Sequence, residues 1–190
     1  DWVLAAHAHI DHTGMLPLLV RNGFRGKIYA TNPTVELCGI MLRDSAHIQE
    51  QDAEYQNRKN KRAGRPEVQP IYTVADAMQV REYIQPCEYG QKVQVTDDVT
   101  AEFIDAGHLL GSASIKLTCH EGGETRTVVF SGDIGNVDQP IIRDPQFYAD
   151  ADYVLMESTY GDRNHTEVWS YTDQLAQIID ETLALSLIHI

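Results

Sequence analysis

At 190 residues the chain is long enough for one sizeable hydrophobic core and too short for two. Its 43% hydrophobic and 23% charged residues are those of an ordinary soluble protein. No apolar run approaches the roughly 20 residues that a bilayer span requires, so a cytoplasmic location without a membrane partner is expected. A formal net charge of −13 excludes a surface that coats nucleic acid generally, because phosphate binding draws on clustered Lys and Arg; any nucleic acid must be held locally.

The first residues lack the basic and apolar regions of a signal peptide, and the missing initiator Met is read as the loss of an upstream portion. Cys38, Cys87 and Cys119 form no CxxC pair, so buried thiols are expected rather than a disulfide framework or a zinc ribbon.

Trp2 to Ala6 reads as a buried strand, and the loop leaving its carboxyl end contains His7-Ala8-His9-Ile10-Asp11-His12-Thr13-Gly14. Three imidazoles and a carboxylate at that density suit zinc and similar borderline cations, and ligands this close can fill two adjacent coordination spheres. The bland reading is a histidine-rich surface loop, but such loops rarely place His, His, Asp and His between two apolar elements. Met15 to Val20 is a helix packed behind the loop, with Pro17 tolerated in its first turn.

Lys27 to Ala30 is a short strand, and Thr31-Asn32-Pro33 opens a long helix in which Leu37, Ile40 and Met41 sit at helical spacing and Gln49 to Asn60 continues into solvent. The segment Arg58 to Arg65 concentrates positive charge and is either a solvated loop or a phosphate contact. Thr73-Val74-Ala75-Asp76 is a capping box for a helix expected to run to Tyr83 and to end before Pro86. From Lys92 the period changes to the near-alternation of half-buried strands, through Val93, Val95, Val99, Ala101 and Phe103.

Two more strands, Ser112 to Cys119 and Thr125 to Phe130, join across Glu121-Gly122-Gly123-Glu124 as a hairpin. Asp152 to Met156 is another buried strand, and Leu175, Ile178, Ile179 and Leu183 form the apolar face of a closing helix. Leu185 to Ile190 break that rhythm and resemble translated adapter sequence, so residues 185–190 are expected to be a non-native tail and His189 is not assigned as a ligand. His47 and His165 are expected to be structural, and His120 to lie in a turn.

Asp105-Ala106-Gly107-His108 and Ser131-Gly132-Asp133-Ile134-Gly135 each follow a strand, and their glycines let the backbone turn sharply toward a shared centre. Alone, each is an ordinary turn; in order behind the histidine-rich loop they form a series of metal-ligand motifs.

The HxHxDH pattern, followed by His108 and Asp133, resembles the metallo-β-lactamase superfamily. That resemblance implies an αββα sandwich, here truncated at both ends, with His7, His9 and His108 on one zinc, Asp11 and His12 on a second, and Asp133 with a hydroxide bridging the two. Independently of the family, two cations roughly 3.5–4 Å apart acidify a shared water and stabilise the attacking and leaving oxygens of a displacement. Ala8 leaves the first site all-nitrogen apart from the bridge, which favours zinc.

The stretches Asp105 to Ser114, Glu157-Ser158-Thr159-Tyr160-Gly161-Asp162-Arg163 and Asp44 to Glu50 resemble the ribonuclease J-like and cleavage-and-polyadenylation nucleases of the β-CASP group. The resemblance implies an RNA substrate cleaved by a zinc-activated hydroxide, with Glu157 orienting a metal ligand or a catalytic histidine; an N-cap or salt-bridged acid is the structural alternative for Glu157. It also implies that residues 1–184 are part of one metallo-β-lactamase domain, that a β-CASP domain follows, and that the second zinc lacks one ligand here. The first zinc is therefore expected to bind more firmly. A thioester or lactone hydrolase, a catalytically weak fragment and a non-catalytic scaffold are the rival readings. A truncated sheet would also expose unpaired edges, which allows for a homo-oligomer.

Overall fold

The computed structural model describes residues 1–164 and 171–185; the expectations for His165 and for residues 186–190 lie outside them. The chain divides into two units, Asp1–Glu157 and Ser158–Ile190.

In the first unit, β1 (Trp2–Leu4), β2 (Lys27–Thr31) and β3 (Ile84–Cys87) form a three-stranded sheet in the order β1-β2-β3, and both pairings are parallel. Parallel strands need crossovers. The first is supplied by one helical turn, α1 (Ile10–Thr13), and by α2 (Leu16–Arg21), which carries Pro17 in its first turn. The second is supplied by α3 (Asn32–Ala63) and α4 (Val74–Gln79). The long helix therefore does continue through the polar run.

Strand alternation sends successive side chains to opposite faces. Ala5, Ile28, Ala30 and Ile84 pack with Leu16, Val20, Val35, Leu42, Ala77 and Val80 of the helices. Ala6, Tyr29 and Cys87 face the other way, against Ala101, Phe103, Ala113 and Ile115 of a second sheet. That second sheet contains β4 (Lys92–Thr96), β5 (Val99–Asp105), β6 (Ala113–Glu121), β7 (Glu124–Phe130) and β8 (Tyr153–Leu155), in sequence order and antiparallel except for β7-β8. Phe103, fully buried between the sheets, contributes on the order of 2–3 kcal/mol by burial. The result is helices on a parallel sheet on a mixed sheet. Gly122 and Gly123, at φ 58° and 84°, make the two-residue turn of the β6-β7 hairpin.

Several expectations change. The helix from Val74 stops at Gln79, a 3-10 turn covers Val80–Glu82, and Pro86 lies inside β3 rather than beyond a helix end. An edge strand tolerates a residue with no N–H to donate on its open side. His120 belongs to β6, where its Nδ1 meets the Thr125 hydroxyl at 2.9 Å, and is not in a turn. The strand at Tyr153–Leu155 exists but is exposed, Val154 at 60%; among the described residues it pairs only with β7 and forms the sheet edge. Cys38 and Cys87 are buried and unpaired, and burial pushes their thiols up to about 11 and about 12. Cys119 is only partly buried.

The second unit contains α5 (Tyr171–Ala184). Leu175, Ile178, Ile179 and Leu183 share one helical stripe and are each about half exposed. Among the described residues no helix is long and apolar enough to cross a membrane.

Candidate metal centre

The parallel sheet presents the carboxyl end of β1 to its crossover, and the ligand-rich segment begins there. It is not wholly a loop. His9 caps α1, so Asp11 and His12 sit on a helical turn whose N–H groups at His12 and Thr13 both donate to the His9 carbonyl. The buried Thr13 hydroxyl lies 3.2 and 2.9 Å from the carbonyl oxygens of Ala8 and His9 and donates to them, tying the turn to the residue it caps.

The other two motifs arrive from the second sheet. His108 follows β5, and its N–H donates to Ser112 Oγ at 3.0 Å, as does that of Leu109 at 3.2 Å. Asp105 Oδ1 accepts the Gly107 N–H at 2.9 Å. Asp133 follows β7 across Gly132, which has φ 58° and whose added Cβ would stand 2.9 Å from the Ala113 carbonyl oxygen and 3.0 Å from Ala6 Cβ. The two loops also touch: Gly135 N–H donates to Ala106 O at 2.8 Å, and a Cβ at Gly135 would fall 1.6 Å from the Gly107 oxygen. Only glycine permits that approach.

These elements bring His7, His9, His108 and Asp133 together with one ligand atom each, all within 4.8 Å of one another. His9 Nδ1 lies 3.0 Å from His7 Nε2 and 3.3 Å from His108 Nε2. Asp133 Oδ2 lies 3.6 Å from His7 Nε2 and 3.7 Å from His108 Nε2, whereas its other oxygen, Oδ1, lies 3.3 Å from His12 Nε2. His12 Nε2 is in turn 3.6 Å from Asp11 Oδ2, on a carboxylate that is 77% exposed. One carboxylate therefore faces two groups of donors with two different oxygens.

The donor set fits a divalent cation. His9 Nδ1 carries either one hydrogen or one lone pair and cannot bond well to both Nε2 atoms, so hydrogen bonding alone does not account for the convergence of the three imidazoles. Burial pushes the His7 imidazole down to about 4, helped by the neighbouring His12 and opposed by Asp133. Burial also holds His108 below its usual range. Both rings are neutral near pH 7, with lone pairs free for a metal. Among the described residues His7 Nδ1 is buried without a hydrogen-bond partner, so that nitrogen does not complete the fold's hydrogen bonding. Nitrogen donors with a carboxylate match zinc better than the all-oxygen preferences of magnesium or calcium.

Glu157 follows β8. Its Oε1 accepts the Ile134 N–H at 2.6 Å, and its own N–H donates to Ser131 Oγ at 3.1 Å. It thus grips the loop on both sides of Asp133, and its charge also reaches His108. Residues whose supporting roles went unassigned from sequence include Thr13, Ser112 and Asp105. Thr13 carried one usable signal, its position four residues after His9, where a hydroxyl can bond back to a carbonyl. His47 bonds Gln51 on the exposed face of α3, outside the cluster.

Residues 1–135 match the family model described as a metallo-beta-lactamase superfamily domain. The chain belongs to the metallo-β-lactamase superfamily. Within it, the chain is 35% identical over 184 residues to Ribonuclease TTHA0252 of Thermus thermophilus, covering 97% of this chain and 37% of that protein. It is 29% identical over 187 residues to Transcription termination factor FttA of Pyrococcus abyssi, covering 96% of this chain and 26% of that protein. An RNase J-like protein of Methanocaldococcus jannaschii is 30% identical over 162 residues, 85% of this chain and 32% of its own. This metallo-β-lactamase-superfamily chain therefore spans about a quarter to two fifths of these relatives. A solved B3 metallo-β-lactamase with an active-site glutamic acid overlaps more loosely, covering 74% of this chain and 47% of its own at TM-score 0.43 and 17% identity.

Proposed function

We propose that the chain carries the metal-binding part of a β-CASP-type ribonuclease, which hydrolyses RNA phosphodiester bonds with two zinc ions. The observation that carries the metal chemistry is the division of Asp133, with Oδ2 toward His7 and His108 and Oδ1 toward His12. The names of the relatives, two of them ribonucleases or ribonuclease-like, supply the substrate class.

In this reading His7, His9 and His108 hold one zinc, Asp11 and His12 hold the other, and Asp133 spans both. When bound, the pair of zincs acidifies water and neutralises charge on the phosphate oxygens. The remaining work belongs to the chain. Burial keeps His7 unprotonated, so no proton has to leave before it can bind metal. Glu157 holds the Ile134 amide and with it the direction of the Asp133 carboxylate. Gly132 lets the Asp133 loop pass Ala6 and Ala113 closely enough to face the histidines. In the reaction, a water oxygen forms the new bond to phosphorus and gives up one proton, the bond from phosphorus to the leaving sugar oxygen breaks, and that oxygen takes up one proton, so one water is consumed per bond cleaved.

The test is cleavage of end-labelled RNA by the zinc-loaded protein, alone and within its longer parent. His12→Ala and Asp133→Ala are each expected to abolish cleavage. Undiminished cleavage by either variant would sink the assignment, and faster turnover of a thioester or lactone than of RNA would redirect it.

A further inference from the structure

A third of the Lys and Arg residues, five of 15, lie between Arg58 and Arg65 in a chain whose net charge is −13. The structure places Arg58, Lys59, Lys61 and Arg62 on the last two turns of α3 and Arg65 just past its end, all exposed. Among the described residues no carboxylate lies within 4.0 Å of any of them, although Glu54 and Glu67 flank the segment.

A solvated helix face would interleave charge signs. Here Arg58 and Arg62 are four apart, and Arg58 with Lys61 and Lys59 with Arg62 are three apart, so like charges are neighbours on the helix surface and oppose helix formation. The helix macrodipole favours Lys61 and Arg62 in the last turn. It offers much less to Arg58 and Lys59 a turn earlier, or to Arg65 outside the helix.

The cations stand on a stiff frame. Gly64 ends the helix in the left-handed conformation at φ 66°, and the Arg65 N–H donates to the Asn60 carbonyl at 2.9 Å. The buried Asn60 side chain donates to Pro66 O at 2.9 Å. Asn57 both donates to Val68 O at 2.9 Å and accepts the Val68 N–H at 2.8 Å, which folds the chain back along the helix. Beside the cations lies the half-exposed ring of Tyr55, with Lys59 Nζ 4.3 Å and Arg58 Cζ 5.9 Å from its centroid. Cations around an exposed aromatic face are the elements from which proteins hold single-stranded nucleic acid without reading its sequence.

Its position connects this tip to the metal centre. Ile10, on the same helical turn as Asp11 and His12, lines a hollow with Met41, Asp44, Ser45 and Ile48 of α3. From Asp44 to Lys61 the helix runs about 25 Å.

We propose that the tip of α3, Arg58, Lys59, Lys61, Arg62 and Arg65 with Tyr55, is a docking surface for the backbone of single-stranded RNA. It holds the strand about 25 Å along α3 from the hollow that Ile10 lines beside Asp11 and His12. The identity of the polyanion as RNA rests on the ribonuclease reading above. The tip concentrates positive charge on a chain whose net charge is −13, and its rigidity limits the ordering cost of binding.

The test is fluorescence anisotropy of a labelled single-stranded RNA against the 190-residue chain over a range of KCl concentrations. The comparison variant replaces Arg58, Lys59, Lys61, Arg62 and Arg65 with Gln, and circular dichroism checks its fold. A second variant, with the exposed Arg25, Lys27, Arg81, Lys92 and Arg126 changed to Gln, removes the same five charges elsewhere and controls for net charge. The tip variant is expected to bind at least about ten-fold more weakly at low salt and to lose about 0.7 of log–log salt slope per phosphate contact removed, roughly 2 or more in total. The control is expected to retain most of both.

Equal slopes for wild type and tip variant, no binding by wild type, or competition by polyglutamate as strong as by RNA would each overturn the proposal. Zinc-loaded chains provide the separating arm. RNA cleaved equally by wild type and tip variant removes the docking surface and leaves the nuclease reading intact. Tip-dependent RNA binding by the chain, without cleavage by its zinc-loaded longer parent, removes the nuclease reading and leaves the docking surface.

Discussion

Glu157 Oε1 accepts the backbone N–H of Ile134 at 2.6 Å, and so fixes the residue immediately after Asp133 from across the edge of the second sheet. A carboxylate accepting a backbone N–H makes a strong, charge-assisted bond. Glu157→Ala is expected to weaken zinc binding by about 10–100-fold, the usual scale for losing a group that orients a ligand, while Glu157→Gln, which keeps an acceptor, loses less. Competition with a chromophoric chelator measures both. Equal affinities in wild type and Glu157→Ala would show that the contact does not hold Asp133.

Zinc stoichiometry should be uneven. His7, His9, His108 and Asp133 converge within 4.8 Å, whereas among the described residues the neighbouring group offers only Asp11, His12 and the other oxygen of Asp133, with Asp11 largely exposed. Titration of the metal-free chain is expected to give one tight and one weak zinc. His108→Ala removes the tight one, and Asp11→Ala weakens only the second. Two equally tight zincs per chain would contradict this, unless a second chain donates a ligand.

Glycine substitutions separate strain from space. Gly132→Ala forces a Cβ to 2.9 Å from the Ala113 oxygen at φ 58°, and is expected to cost at least about 1–3 kcal/mol in denaturant unfolding. Gly39→Ala, within α3 and with nothing within 4 Å of the added carbon, is expected to stabilise by about 0.5–1 kcal/mol. A stabilised Gly132→Ala would mean that this loop does not need its left-handed turn.

The capping box predicts a pH effect. Thr73 N–H donates to Asp76 Oδ2 at 2.8 Å and Asp76 N–H donates to Thr73 Oγ1 at 3.2 Å. The Thr73 amide holds the Asp76 carboxyl below the ordinary carboxylate range, with further help from Arg21. A depressed folded value means that the stabilisation is fully present above the unfolded carboxylate value and is lost as pH falls through the folded one. Asp76→Asn, which takes the carboxylate away from the Thr73 amide, is expected to cost about 1 kcal/mol near neutrality. The difference between wild type and variant should shrink in acid, and a gap independent of pH would exclude the carboxylate's part in it.

What the sequence by itself determined was local. The helix start at Asn32, the Thr73 box and the Gly122-Gly123 hairpin all depend on residues within one turn or one loop of each other, and the structure reproduces each of them. Tertiary structure decided what depends on distant partners. Pro86 lies in a strand because β2 offers a parallel edge at Ala30, an interaction that no window around Pro86 contains. Val154 is exposed where, among the described residues, β8 has a neighbour on one side only, although its apolar run reads as buried. The contact between Gly107 and Gly135, the grip of Glu157 on Ile134 and the two directions of the Asp133 carboxylate arise where loops from both sheets meet at one edge. Composition can nominate such ligands, but their convergence is a property of sheet packing.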